Sequence, residues 1–266
     1  MTTQHHNGIT FEGTSREFAD ILGNATLKAL FANLIAQVRD GRPPNVTVLV
    51  HGASRTGKSS TIKLAIRLMI CRDPDREKMR PCWECDNCKQ VSLAELAGLF
   101  SRDPNIPDIP NAEILQVDCA NVDDKDVDEI MTFLNHSPGS FKILHLEEVH
   151  RLAKSGNDEK LLTRLDESNA VVIASSTYAI KSSTRRNSEL EEPFKNRFMH
   201  LETERPSADV LRLWLAERCQ LEGIKIAGQS PRERFATVSG AVARSELVVG
   251  VVLNELRKAS MIGVLR

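Results

Sequence analysis

The chain has 266 residues, of which 41% are hydrophobic and 27% are charged, a composition typical of globular domains. Its net charge of −1 gives no overall basic field, so any surface that binds nucleic acid has to be local. The sequence has no apolar run of the roughly 18 residues that a membrane span needs, and its first residues lack the features of a secretion signal, so we expect a cytoplasmic protein without a membrane partner.

The first predicted elements are a helix, a strand and a second helix. Residues 14–40 form a loop followed by a helix, in which apolar side chains recur at helical spacing. The segment Gly41-Arg42-Pro43-Pro44 ends this helix. The apolar run from Val46 to Val50 predicts a strand, and Ser60 to Ile70 predicts the second helix.

The eight residues before Ser60 fit the phosphate-loop pattern G-x-x-x-x-G-K-[ST]. A strand, such a loop and a helix wrap backbone N–H groups around phosphate oxygens, where the helix N-terminus favours anions. Lys58 would reach the β- and γ-phosphates, and the Ser59 hydroxyl would bind Mg²⁺. Because strand and helix are both in place, a chance match is disfavoured. The predicted cofactors are ATP and Mg²⁺, and the binding residues are Gly52, Ala53, Ser54, Arg55, Thr56, Gly57, Lys58, Ser59 and Ser60.

Four of the six cysteines follow the second helix with the spacing C-x10-C-x2-C-x2-C. In a cytosolic protein, clustered cysteines are more often metal ligands than disulfides. Four thiolates satisfy tetrahedral Zn²⁺ and leave no open position, so the site would be structural. We predict a zinc module over about residues 71–90 with the ligands Cys71, Cys82, Cys85 and Cys88, whereas Cys119 and Cys219 stand apart.

Strands and helices alternate through the following hundred residues, after a loop at 101–112. The predicted strands are Ile114–Asp118, Phe141–Glu148 and Ala170–Ser175, and the predicted helices are Asp123–Leu134 and Leu152–Leu165. This alternation indicates an α/β fold with a parallel sheet that is covered on both faces. From about Ser207 the pattern is purely helical. We expect a nucleotide-binding domain over residues 1–205 and a small helical lid domain over 206–266.

Two acids, Glu147 and Glu148, end the third predicted strand. Nucleotide hydrolysis needs an acid that orients Mg²⁺ and a base that aligns the attacking water. The carboxyl end of a parallel strand is where ligands collect, so Glu147 would contact the Mg²⁺ shell and Glu148 would polarise the water. The first position is usually Asp. The extra methylene of Glu147 predicts slow hydrolysis, or binding without turnover.

Further polar residues fit an ATPase that works through neighbouring subunits. Ser175 and Ser176 end the fourth strand beside the acids, and either could hold the γ-phosphate or the water. Arg197 follows a loop at the end of the first domain. Such an arginine is either surface charge or a finger that reaches the γ-phosphate of a neighbouring subunit, and the surrounding motifs favour the finger.

The order of these motifs resembles the AAA+ ATPase subunits of bacterial DNA polymerase III clamp loaders, of the gamma/tau and delta-prime type. Phe18–Asn24 is similar to the opening box near the adenine, and a four-cysteine zinc module at this place is the most specific feature. Glu147–Leu152 resembles Asp-Glu-Val-His-x-Leu, and Asn196–Phe198 resembles the Ser-Arg-Cys finger motif. The stretch Gly240–Leu247 resembles the second-sensor segment and implies that role for Arg244.

The resemblance also has departures. Asn196 and Phe198 replace the Ser and Cys of the finger motif, and the stretch from Tyr178 to Phe194 is longer and more basic than usual. The family's subunits add a helical collar that holds five subunits together, for which no residues follow the lid. We therefore expect a divergent stand-alone relative or an unusual assembly.

The resemblance implies a clamp-loader-like ATPase that forms oligomers with AAA+ neighbour subunits. It would act on DNA or a DNA-bound protein such as a sliding clamp, in replication, recombination or mobile-element maintenance. The alternative is a non-hydrolysing, stator-like subunit that binds nucleotide and donates Arg197 to a partner ATPase. A kinase or metabolic phosphate-loop enzyme has no use for the zinc module and lid.

Overall fold

The structure is a computed structural model that describes residues 16–42, 44–89, 113–120, 122–135, 141–154, 161, 164–165, 167–177 and 196–266. Among the helices of these ranges, none is long and apolar enough to cross a membrane.

A five-stranded parallel sheet lies at the centre, with the strand order β2-β3-β4-β1-β5. In the register, Leu146 of β3 lies opposite Ala174 of β4, and Val50 of β1 lies opposite Ser175. The carboxyl ends of these strands therefore meet at one edge of the sheet, where α/β proteins bind their ligands. The strands are β1 (Val46–His51), β2 (Glu113–Asp118), β3 (Lys142–Glu147), β4 (Ala170–Ser176) and β5 (Met199–Glu202).

Helices cover both faces of the sheet, as the alternation of strands and helices predicts. On one face, Val48 and Val50 pack with helices α1 (Ala25–Arg39) and α2 (Lys58–Ile70). On the other face, Leu49 packs with helix α3 (Asp124–Asn135) and with part of the 3-10 helix Val149–Lys154. Successive strand residues point to opposite faces, so β1 contributes to both cores.

The C-terminal part is helical and has a hydrophobic core of its own. It comprises α4 (Ala208–Leu221), α5 (Pro231–Arg244) and α6 (Val249–Ile262), with a short parallel pair of strands, β6 (Lys225–Ile226) and β7 (Val264–Leu265). Ser207 and Ser230 cap α4 and α5, because their hydroxyls accept hydrogen bonds from the N–H groups of the first turns. The core includes Leu211, Leu215, Val242, Val252 and Leu256.

The structure confirms the α/β fold with its parallel sheet and the four predicted strands, with ends that shift by at most one residue. The predicted boundary at residues 205 and 206 falls between β5 and α4. The predicted loop 101–112 and the basic stretch 178–194 lie outside the described residues.

Four features differ from the sequence-based expectation. The part after Ser207, predicted as purely helical, also contains the strands β6 and β7. Helix α2 begins at Lys58, two residues earlier than expected, because Gly57 caps it in a left-handed conformation. The predicted helix Leu152–Leu165 is only partly described, and its first residues belong to the 3-10 helix. The fifth strand, β5, was not predicted at all. It is a four-residue edge strand whose side chains are mostly exposed, so it lacks an apolar pattern.

Candidate nucleotide-binding site

The loop of residues 52–57, between β1 and α2, depends on glycine at both ends. Gly52 has a φ of 139°, and a Cβ atom there would lie 2.2 Å from Thr203 Oγ1. Gly57 has a φ of 91° and forms the N-cap of α2. Both conformations are ones that glycine alone adopts without strain. Arg55 also has a positive φ, of 63°, so the loop holds a non-glycine residue in a sparsely populated conformation.

Lys58, the first residue of α2, places a buried cation at this loop. Its side chain donates hydrogen bonds from Nζ to the carbonyl oxygens of Gly52, at 2.8 Å, and Ala53, at 2.7 Å. Burial lowers the pKa of Lys58, and the negative charge of Glu148 opposes this shift. The cation and the helix N-terminus both favour an anion at this point. Ser59 is exposed and Ser60 is half-buried.

A cavity of about 300 Å³ lies beside the loop. Its volume is at the lower end of the range for small-molecule sites. Apolar side chains from the segment after Phe18 and from α6 form its walls, and loop residues close one end. The lining residues are Asp20, Ile21, Leu22, Arg55, Thr56, Gly57, Ser60, Val249, Gly250, Leu253, Asn254 and Arg257. The cavity thus joins the loop of residues 52–57 to a partly apolar pocket, an arrangement that is compatible with a nucleotide.

Helix α6 touches the phosphate loop directly. The N–H group of Gly250 donates a hydrogen bond to the Arg55 carbonyl oxygen at 3.3 Å. A Cβ atom at Gly250 would lie 2.7 Å from Arg55 Cβ, so a larger residue would push the helix and the loop apart. The sequence predicts a helix in this region but not which of its faces meets the loop.

Asn24 connects the cavity wall of residues 20–22 to the phosphate loop. This buried residue has a φ of 56° and precedes α1. Its Nδ2 donates to the Thr56 carbonyl oxygen at 2.8 Å, and its Oδ1 accepts from the Glu204 N–H group at 2.8 Å. One amide side chain therefore joins the cavity wall, the phosphate loop and the segment after β5.

Glu147, at the end of β3, lies at the carboxyl edge of the sheet. Its Oε1 is 3.5 Å from Lys63 Nζ, and no group in the described part of the chain donates a hydrogen bond to it, so it can still accept one. His145 Nε2 lies 4.0 Å behind it. Complete burial, with the charge of Lys63, lowers the pKa of His145 to about 3, so this histidine is neutral and does not act as a base near pH 7. Glu147 and Ser59 are oxygen donors of the kind that Mg²⁺ prefers.

Glu148 follows β3 with a φ of 52°, a left-handed conformation that directs the chain into the 3-10 helix. Its Oε2 accepts a hydrogen bond from Thr177 Oγ1 at 2.9 Å and lies 3.5 Å from His150 Nε2. Its charge acts on Lys58. The carboxylate is therefore held by Thr177, a residue that the sequence did not single out, and His150 lies beside it.

The two serines at the end of β4 lie at the same edge and are both buried. Ser176 Oγ is 3.1 Å from His150 Nδ1. Thr177, the residue after β4, contacts Glu148, so three consecutive hydroxyl residues lie at the end of β4 and directly after it. Which of Ser175 and Ser176 acts as the first sensor stays a prediction.

Arg197 lies towards the opposite edge of the sheet. In the register of β5 with β1, Met199 is opposite Val48 and Glu202 is opposite His51. Met199 therefore lies three strand residues, about 10 Å, before the level of His51, the last residue of β1, and Arg197 precedes Met199 by two residues. Phe198 is buried in the core, whereas Arg197 is half-buried. The structure does not bring Arg197 to the phosphate loop of its own chain.

The structure does not bring Arg244 to the cavity either. Its Nη2 donates to the Arg266 carbonyl oxygen at 3.0 Å and to Glu255 Oε2 at 3.4 Å. More than half of its side chain is exposed, and it is absent from the residues that line the cavity. Among the described residues, α6 instead supplies Arg257 as a lining cation. The second-sensor role of Arg244 stays a prediction.

The four cysteines predicted as zinc ligands come together. The Sγ atoms of Cys71, Cys82, Cys85 and Cys88 all lie within 4.8 Å of one another. A zinc ion with Zn–S distances of about 2.3 Å needs such a group. The N–H of Cys82 points at Cys71 Sγ, at 3.2 Å, and the N–H of Cys85 points at Cys82 Sγ, at 3.3 Å.

The thiol pKa values at this cluster differ. Burial raises the pKa of Cys71 and Cys88. Burial also acts on Cys85, but hydrogen bonds, among them those from the backbone at Arg72 and Cys88, outweigh it and lower its pKa to about 7. The donor set and spacing are compatible with zinc.

Comparison with known sequences gives short matches. No protein-family model matches the chain. Protein STICHEL-like 4 of Arabidopsis thaliana is 30% identical over 86 residues, and Protein STICHEL-like 3 of the same plant is 28% identical over 85 residues. Each match covers 32% of this chain but only 8% and 7% of the relative. The chain thus spans less than a tenth of the length of the curated relatives it matches.

Comparison with solved structures covers nearly the whole chain. The RuvB Holliday junction branch migration motor of Thermotoga maritima matches with a TM-score of 0.55 and 15% identity, over 97% of this chain and 69% of RuvB. Two variants of RuvB match with TM-scores of 0.57 and 0.58, at 15% and 14% identity, over 97% and 95% of this chain and 69% of each variant.

These matches establish the class of the fold: a parallel-sheet α/β fold of the AAA+ type, like that of RuvB. At this level of identity they show the fold alone. They do not show a clamp-loader role.

Proposed function

We propose that this protein is an AAA+ ATPase that binds ATP and hydrolyses it slowly within an oligomer. One observation carries the proposal: a cavity joins the loop of residues 52–57 to a partly apolar pocket, and this loop leads directly into Lys58, on which the charge of Glu148 acts. Loop, cation and acid are the parts that nucleotide hydrolysis needs.

Each residue at the sheet edge has its own role in ATP binding or hydrolysis. Lys58 and the loop N–H groups bind the phosphates, and Ser59 and Glu147 hold Mg²⁺, which neutralises charge on the phosphate oxygens. Glu148 aligns the attacking water, and Thr177 keeps the carboxylate in place by its hydrogen bond. Ser176 is positioned as the first sensor by His150.

Arg197 acts on a neighbouring subunit in this proposal. Its place towards the far edge of the sheet separates it from its own phosphate loop. The same place suits an arginine that reaches the γ-phosphate bound by the next AAA+ subunit and stabilises the charge that develops there. Phe198, buried next to it, fixes the backbone from which the arginine projects.

We further propose a clamp-loader-like role, in which ATP drives assembly on DNA or on a DNA-bound protein such as a sliding clamp. Support comes from the motif order, from the cysteine module and from the fold shared with RuvB, a Holliday junction branch migration motor. The cysteine module binds one Zn²⁺ structurally, and residues 206–266 form the lid domain. Replication, recombination and mobile-element maintenance are the candidate settings.

The second candidate is a non-hydrolysing, stator-like subunit that binds nucleotide and donates Arg197 to a partner. The ion pair between Glu147 and Lys63 favours it, because the lysine already neutralises the carboxylate that Mg²⁺ would need. The longer side chain of Glu147 points the same way.

Steady-state ATP hydrolysis over a series of protein concentrations, with and without primed DNA, separates these candidates. We expect a slow rate per chain that rises with concentration, because each site needs a neighbour's Arg197. A rate per chain that is independent of concentration would contradict the shared site. No hydrolysis under any condition, with ATP bound, would favour the stator-like subunit.

A further inference from the structure

The cysteine module, residues 71–89, is fastened to two parts of the nucleotide-binding unit. The first is helix α2, which starts at the phosphate loop. Asn87 Nδ2 donates to the Ile70 carbonyl oxygen at 2.7 Å, and Arg67 Nη1 donates to the Cys88 carbonyl oxygen. The Arg67 guanidinium also lies 4.5 Å from the centre of the Trp83 ring, a cation–π contact.

The second part is the segment of residues 16–20, far from the module in sequence. Trp83 Nε1 donates to the Arg16 carbonyl oxygen at 3.2 Å. The Phe18 N–H group donates to the Met79 carbonyl oxygen at 3.3 Å, and the buried Phe18 ring belongs to the core against which Met79 and Trp83 pack. Two backbone groups and one buried ring therefore hold this segment against the module.

This segment continues into the wall of the cavity. The N–H groups of Arg16 and Glu17 donate to Asp20 Oδ2, at 2.7 and 3.1 Å. Asp20 itself lines the cavity, together with Ile21 and Leu22. The wall thus has two supports: Asn24 connects it to the phosphate loop at one end, and the cysteine module holds it at the other.

We propose that the cysteine module positions this wall of the cavity, so that metal in the module and nucleotide in the cavity bind cooperatively, with Trp83 as a positioning residue. The inference rests on the nucleotide site proposed above. If metal fixes the module, the wall is ordered before nucleotide arrives, and the nucleotide does not have to order it. The coupling is reciprocal, so nucleotide must raise the affinity for zinc by the same factor.

The variant Trp83→Phe tests the connection. Phenylalanine keeps an aromatic ring against Arg67 but loses the N–H group that holds Arg16. We expect one zinc per chain, an unchanged melting temperature within a few degrees, and an affinity for a fluorescent ADP analogue about threefold weaker. Trp214→Phe, the same substitution at the only other tryptophan, is the matched control and should bind like wild type.

The effect of ADP on zinc affinity is a second measurement. A tryptophan with a purely structural role would not change this effect. Competition with a chelator, with and without saturating ADP, should show tighter zinc in the presence of ADP, by about fivefold in wild type and less in Trp83→Phe. Equal zinc affinity with and without ADP, or equal ADP affinity of wild type and Trp83→Phe, would overturn the inference. Wild type that binds no nucleotide at all would instead refute the proposed function.

Discussion

The sheet edge and the lid wall of the cavity differ in what they contribute. The sheet edge carries the chemistry: Lys58, Glu147 and Glu148 lie there, and hydrogen bonds or ion pairs hold each of them. The lid wall, from α6, contributes mainly apolar surface and a backbone contact at Gly250. The arginine expected on the lid side, Arg244, lies elsewhere.

This difference separates reaction from binding. In the proposed site, groups at the sheet edge would face the phosphates, so their loss should reduce turnover strongly. Groups on the lid wall would touch the rest of the nucleotide, so their loss should reduce affinity modestly and leave the chemical step nearly intact.

The largest effect should come from replacing Arg197. We group this residue with those that support turnover, although it lies far from the phosphate loop of its own chain. Arg197→Ala should retain ATP binding and lose about 10³-fold or more in steady-state hydrolysis, because the charge on the transferred phosphoryl group is no longer stabilised. Arg42→Ala is the control. Arg42 precedes β1, as Arg197 precedes β5, and its side chain is 79% exposed. The Arg42→Ala variant should therefore hydrolyse ATP like wild type.

Mixing variants tests whether the arginine acts on a neighbour. Glu148→Gln should also bind ATP without turnover. A mixture of Arg197→Ala and Glu148→Gln chains should recover part of the activity, because some interfaces pair an intact Glu148 with an intact Arg197. Normal hydrolysis by Arg197→Ala alone, or no recovery in the mixture, would place Arg197 outside the reaction.

The cysteine module is expected to stabilise the fold. Cys85→Ser should lose the zinc ion and lower the melting temperature by roughly 5 °C or more, because the metal binds the folded chain only. Elemental analysis and thermal unfolding measure both quantities. Cys219→Ala, which removes a buried thiol outside the cluster, should keep one zinc per chain. Zinc retained in full by Cys85→Ser would exclude this residue as a ligand.

The smallest effect is expected on the lid wall. In Gly250→Ala the new methyl group meets the Arg55 side chain, so ATP affinity should weaken about threefold while turnover at saturation changes little. Gly240→Ala is a matched control, since it also adds a methyl group to a lid helix but meets only the tip of Arg244, at 3.4 Å. A larger loss of turnover than of affinity in Gly250→Ala would contradict the separate roles of the sheet edge and the lid wall.

Parts of the molecule that a few consecutive residues determine could be predicted from the sequence. The phosphate loop and the four-cysteine cluster depend on local spacing, and the structure confirms the strand–loop–helix unit and brings the thiols together. The apolar runs of buried strands identify the sheet because both of its faces are covered.

Features that depend on packing between distant segments could not be predicted. The edge strand β5 has mostly exposed side chains, so no apolar pattern marks it. The contact of Thr177 with Glu148 follows from strand order, and that of Gly250 with Arg55 follows from the angle at which α6 meets the loop. The position of Arg244 depends likewise on how α5 and α6 pack.

Calorimetric titration of wild type and Lys58→Ala with ATP and Mg²⁺ tests the central claim most directly. One charge-assisted contact to a phosphate is worth roughly 1.5–3 kcal/mol, so the account predicts one site per chain in wild type and binding at least about tenfold weaker in Lys58→Ala. Equal binding by both proteins, or no binding by wild type, would contradict a phosphate site at residues 52–59.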